Sequence, residues 1–185
     1  MNEAPRKPRT DWDRITAIAA MLIGLVAVGV AAYTALLQRE QIRAQVWPRM
    51  VFYNAGRLAE FHVGNKGNGP AIVRNVRVLV DGKPVTDWAG VYRELGLASD
   101  AHPGYSSLNN AVLAPGDDSV YLQPADRATF EALRRLADTR WVLEACYCSA
   151  LDECWIAQAH PRRAADITRE TDACPATDPA RDFID

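Results

Sequence analysis

The pattern of apolar and polar positions changes abruptly once along the chain. Residues 15–37 form an apolar run without a charged residue, closed by Arg14 on one side and by Gln38, Arg39 and Glu40 on the other. At ~1.5 Å rise per residue, a helix of this length matches the ~30 Å hydrocarbon layer of a bilayer. The run therefore predicts a transmembrane helix. A soluble helix this long would normally show a polar face, and none is visible. A cleaved secretory signal would have a shorter apolar core, of roughly 7–15 residues, and a small-residue cleavage site before a polar start. No clean A-x-A site stands there, so the expectation is an uncleaved anchor. Residues 38–47 lack Pro and Gly and prolong the helix as a stalk, until Pro48 removes a backbone donor.

From Met50 onward the period drops to two. Short β-rich runs at 51–53 and 58–63 flank Asn54-Ala55-Gly56-Arg57, read as a hairpin turn with Gly56 supplying any positive φ. The Gly- and Asn-rich stretch 64–70 reads as a turn. Residues 72–80 form the clearest strand, with Val76, Val78 and Val80 on one face and Asn75 and Arg77 on the other. Asp81-Gly82 closes it as a tight turn. Trp88, Tyr92 and Leu95 then fall at i, i+4 and i+7 behind Asp87 as a cap and before Gly96 as a stop, predicting a short helix. With the loop at 97–110, this helix is read as an insertion between strands. A turn at 113–117 leads to a strand at 119–122. Pro124 opens a second helix to about residue 138, with Phe130, Leu133 and Ala137 as its apolar stripe. The last strands are 141–148 and 154–159. Residues 166–185 read as a poorly ordered tail unless Cys174 ties them down.

Three stretches carry a resemblance: Asn65-Lys66-Gly67-Asn68-Gly69-Pro70-Ala71, the valine strand ending in Asp81-Gly82, and Leu113-x-Pro115-Gly116-Asp117. In that order they resemble the turns of immunoglobulin-like β-sandwich modules of bacterial surface proteins. Together with Trp47-Pro48, Tyr147-Cys148-Ser149 and Cys154-Trp155, they also resemble a group of uncharacterised bacterial single-pass membrane proteins. The resemblance covers residues 47–159 and implies a mainly β fold. That fold is an N-terminal transmembrane helix followed by an immunoglobulin-like antiparallel β-sandwich with two short helical insertions. The implied layout is a cytoplasmic tail (1–14), the transmembrane helix (15–37), a helical stalk (38–47), the sandwich (48–160) and a polar C-terminal tail (161–185).

A formal net charge of −2 over 185 residues gives no basic excess to suggest nucleic acid. Four basic residues before the span (Arg6, Lys7, Arg9, Arg14) against three after it (Arg39, Arg43, Arg49) vote weakly for an inside N-terminus. Cysteine adds to that vote. Cys146, Cys148, Cys154 and Cys174 all follow the span, and an even number in one small domain suits an oxidising compartment. The domain is expected outside the cytoplasm, and the resemblance to bacterial membrane proteins implies the far face of a bacterial inner membrane. If 149–153 is a hairpin loop, Cys148 stands opposite Cys154 and Tyr147 opposite Trp155. Trp141, Leu143, Ala145, Tyr147, Trp155 and Ala157 then share the core face, while Cys146 and Cys148 point away. Two cysteines two apart on one strand do not easily bond each other, so the expected disulfides are Cys148 with Cys154 and Cys146 with Cys174.

Little else announces chemistry. His62, His102 and His160 have no metal-ligand spacing, and no nucleophile elbow, P-loop or dinucleotide fingerprint is present. His62 alternates within a strand and reads as solvent-facing. Asp117 with Asp118, and Asp152 with Glu153, are explained by turns. A redox pair at Cys146 and Cys148 would need a thiolate of lowered pKa, but no Lys or Arg flanks it and no helix N-terminus follows. Four cysteines without paired C-x2–4-C spacing argue against zinc. No metal or other cofactor is expected. Trp88, Tyr92 and Tyr105 offer a possible binding rim, set against plain packing over the sheets. The expected function is a membrane-anchored, extracytoplasmic binding or assembly module. Its expected partners are the bilayer and a membrane or envelope protein; the alternative is an envelope enzyme or a thiol-disulfide protein using Cys146 and Cys148. Ala20, Gly24, Ala27, Ala31 and Ala35 form a small-residue stripe suited to self-association in lipid.

Overall fold

The computed structural model of the protein describes residues 11–97, 103–137, 139–161 and 167–184. The chain divides into two units, residues 1–43 and 44–185. Most of the first is helix α1 (Trp12–Gln45), in which no residue is buried. It is long and apolar enough to cross a membrane.

Among its described residues the second unit contains ten strands and two helices. In chain order these are β1 (Met50–Ala55), β2 (Glu60–Asn65), β3 (Ala71–Val80), β4 (Lys83–Val85), α2 (Trp88–Leu95), β5 (Gly104–Tyr105), β6 (Val112–Leu113), β7 (Asp118–Gln123), α3 (Arg127–Ala137), β8 (Trp141–Cys148), β9 (Cys154–Ala159) and β10 (Thr168–Thr171). They build two antiparallel sheets, one ordered β1-β2-β7-β5, the other β10-β9-β8-β3-β4 with β6 also paired to β3. One apolar core serves both, as Phe61 of β2 meets Trp141 of β8 at 6.0 Å and Phe130 of α3 at 5.0 Å.

Local chemistry explains most boundaries. Asp81 and Gly82 both take positive φ (50° and 80°), the geometry of a two-residue hairpin loop. Helix α2 begins where the Asp87 carboxylate accepts from Gly90 N at 2.6 Å and ends at Gly96 in the left-handed region.

Two expectations are corrected. The first hairpin turns later than 54–57, because Asn54 and Ala55 belong to β1, and Ala59 rather than Gly56 adopts positive φ. Helix α3 does not open at Pro124: Asp126 caps it, accepting from Thr129 N at 2.8 Å, so the proline stands outside. The condition set for the C-terminal segment is met, since Cys174 is bonded to Cys146 and ties it down. Its strand β10 extends the larger sheet beyond β9, and Phe183 is buried against Trp88 at 4.9 Å. Asp182 is buried as well and pairs with Arg77 at 2.8 Å. This segment covers the outer face of β3, which is why Asn75 is buried and donates to the Pro175 carbonyl at 2.8 Å.

The Gly- and Asn-rich turn proves to be a clamp. Asn68 N and Gly69 N donate to the Trp47 carbonyl, and Lys66 N donates to that of Arg49. Contact is so close that a Cβ on Gly69 would stand 2.0 Å from the Val46 carbonyl oxygen. Asn65, fully buried, ties the clamp together. Its Nδ2 donates to the carbonyls of Gly69 and Leu113, and its Oδ1 accepts from Arg49 N and Gly67 N.

The core also sets a pH limit. Burial pushes the Tyr92 phenol up to about 12, with the Asp126 charge adding to it, and pushes Tyr121 and Tyr147 up as well. A raised phenol contributes stability fully present below the ordinary value of about 10, and that stability is lost as pH rises through the folded value. Alkaline unfolding is expected to set in between those limits. Phenolate absorbance and far-ultraviolet dichroism, followed together, check this. These three tyrosines should ionise only as β structure is lost; full ionisation of all six tyrosines in a folded protein would contradict it.

Candidate functional site

The proposed aromatic rim does not assemble. Trp88 and Tyr92 lie on the inner face of α2 and are buried in the core, while Tyr105, on β5, is about half exposed. The i, i+4 spacing that predicted the helix also turned both residues inward.

The four cysteines stand together on the outer face of the larger sheet. Strands β8 and β9 pair in the expected register, Cys148 opposite Cys154 and Tyr147 opposite Trp155, across the loop 149–153. Disulfides join Cys148 to Cys154 and Cys146 to Cys174, and no cysteine is free. The six residues assigned to the core face are all buried. Cys174 is half-buried, and its Sγ lies 3.7 Å from that of Cys148, so the bridges touch.

A polar network missed in the sequence lies on the smaller sheet. His62 does not face open solvent: its side chain is only 13% exposed. Nδ1 meets Asp118 Oδ1 at 2.7 Å and Nε2 meets Glu60 Oε2 at 3.0 Å, while the Tyr53 ring stacks on the imidazole at 5.1 Å. Tyr53 donates to Asp118 Oδ2, Gln123 donates to Glu60 at 3.0 Å, and Lys66 stands 3.9 Å from Asp118. Burial acts upward on the Asp118 carboxyl. Hydrogen bonds from Tyr53 and His62, with attraction to His62 and Lys66, outweigh it and hold the group below its usual range. The bond to Asp118, aided by burial and the carboxylate charge, raises the Tyr53 phenol. Strand pairing sets the cluster, since Tyr53 faces His62 across β1 and β2, and His62 faces Val120 two residues beyond Asp118. Both imidazole nitrogens are engaged by carboxylates. The network holds together three strands of the sheet.

A cleft of about 570 Å³ opens at the end of β3 and β8, lined among others by Asp81, Arg140, Trp141, Glu144, Gln158 and His160. Its polar groups answer one another. Arg140 pairs with Asp81 at 2.5 Å, Gln158 donates to Glu144 at 2.5 Å, and the His160 ring lies 5.6 Å from that of Trp141. His102 lies outside the described residues. Comparison of the chain with protein-family models, curated proteins and solved structures finds no match.

Proposed function

We propose that the protein is a single-pass protein of a bacterial inner membrane. In this reading α1 is an uncleaved signal anchor with a cytoplasmic tail, and the domain is an immunoglobulin-like β-sandwich that serves outside the cytoplasm as a binding or assembly module. The observation that carries the reading is the combination of a long helix with an uncharged 23-residue apolar run (15–37) and a domain whose four cysteines are all paired. Fully paired cysteines in a small domain suit an oxidising compartment, and the run is long enough to span. Two antiparallel sheets on one core support the sandwich. The engaged state of the His62 network and the burial of Trp88 and Tyr92 favour binding through surface over catalysis. The partner class is an envelope or membrane protein that meets the domain at the membrane surface, and the Ala20-to-Ala35 stripe adds self-association within the bilayer.

Reporter fusions joined by a flexible linker after Asp185 test the orientation. An alkaline-phosphatase-type reporter, active only outside the cytoplasm, is expected to work there. A reporter active only in the cytoplasm is expected to be silent, and activity of the latter would overturn the reading.

A further inference from the structure

We propose that the two disulfides form one thiol–disulfide exchange centre, with dithiols as its substrate class, in which reducing equivalents enter at Cys174 and emerge at Cys154. The inference rests on the sulfur geometry and not on the membrane reading, so either stands if the other fails. The sulfurs of Cys148, Cys154 and Cys174 all lie within 4.8 Å of one another, and Cys174 and Cys148, which are not bonded to each other, approach to 3.7 Å. Exposure sets the direction. Cys146 and Cys148 are 2% exposed and Cys154 8%, whereas Cys174 is half-buried on the covering segment. An incoming thiolate therefore meets Cys174 first.

The electrons balance in two steps. A dithiol thiolate attacks Cys174 Sγ and expels Cys146 as a thiolate. The dithiol's second sulfur then closes its own disulfide and releases Cys174, leaving Cys146 and Cys174 reduced and the dithiol oxidised. The Cys174 thiolate next attacks Cys148 Sγ, forming Cys148–Cys174 and breaking Cys148–Cys154, and the expelled Cys154 thiolate takes a proton from water. Exchange of this kind proceeds with the three sulfurs near a line. The 4.8 Å limit places Cys174 beside the Cys148–Cys154 bond rather than on its extension, so its side chain must rotate once Cys146 lets go. The fold accommodates the product. Arg77 with Asp182, and Phe183 in the core, hold the covering segment in place without the Cys146 bridge. The new Cys154 thiol finds the Asp152 carbonyl oxygen 3.4 Å away as an acceptor.

The test uses the full chain in detergent micelles, treated with less than one equivalent of dithiothreitol, quenched in acid, alkylated, and digested without reduction for mass spectrometry. Among chains that have lost one disulfide, the Cys148–Cys174 bond with alkylated Cys146 and Cys154 is expected in at least about one in ten, the ratio that a ~30 mV difference between pairings allows. Half-reduced chains that carry only one or the other of the original bonds, Cys146–Cys174 or Cys148–Cys154, would overturn the proposal. Cys146→Ser supplies the free Cys174 thiol from the start. Alkylation divided between Cys174 and Cys154 is expected there, and alkylation of Cys174 alone would also overturn it. If this variant does not fold, the wild-type measurement decides.

Discussion

Replacing Phe183 with alanine is expected to destabilise the domain by about 3–5 kcal/mol, the usual cost of emptying a phenylalanine site in a core. The ring is buried and meets Trp88 edge to face at 4.9 Å, with interplanar angle 70°. The main-chain bonds around it, Phe183 N to the Val76 carbonyl at 2.8 Å and Ile184 N to that of Thr86 at 2.6 Å, do not depend on the side chain. The loss is therefore one of packing. Denaturant unfolding of the full chain in micelles, followed by tryptophan fluorescence, measures it. Exposed Ile184→Ala is the control and should cost well under 1 kcal/mol. Equal, small effects for both would mean that the C-terminal segment is no part of the core.

Asn65→Ala is expected to cost on the order of 4 kcal/mol, because it orphans two carbonyls and two N–H groups at a fully buried site, and each such loss costs ~1–3 kcal/mol less whatever water recovers. Asn65→Asp keeps the size and still fails. A carboxylate accepts from Arg49 N and Gly67 N but presents a second oxygen to the carbonyls of Gly69 and Leu113, with nothing to donate. At neutral pH the aspartate variant should be at least as unstable as the alanine one. It should recover in part on acidification, where the protonated acid donates to one of the two carbonyls. The same unfolding measurement across pH 4–7 checks this, and an aspartate variant as stable as the wild type would refute the clamp.

Periodicity reached the parts of this fold that depend on neighbours in sequence. Residues 72–80 alternate because one face of β3 is core, and the cysteine register followed from a five-residue loop and the side-chain period of two. The capped helix α2 announced itself through Asp87 and Gly96. Asn65 stayed hidden because its partners come from Arg49, Gly67, Gly69 and Leu113, and an Asn beside glycines has a sufficient local explanation as a turn. His62 was misread for a related reason. Alternation places it on the outer face of β2, but only the pairing of β7 brings Asp118 to its Nδ1. The C-terminal segment is largely polar, and its large apolar residues, Ile167, Phe183 and Ile184, are too few and scattered for any period to register. Cys174 was the one hint that it returned to the sheet.

That return sets the order in which the domain can be completed. Asn75 and Arg77 wait for partners 100 and 105 residues further along, and contacts so distant in sequence are slow to form because a long loop must close first. A chain that emerges from its N-terminal end presents β3 with its outer face bare, and the core beneath Trp88 lacks its last ring. Until the segment around Phe183 has emerged, the outer face of β3 has nothing to cover it. During that interval Cys146, Cys148 and Cys154 precede Cys174 out of the chain's point of emergence. Oxidation then favours Cys148 with Cys154, the hairpin neighbours, and leaves Cys146 open for the strand that arrives last.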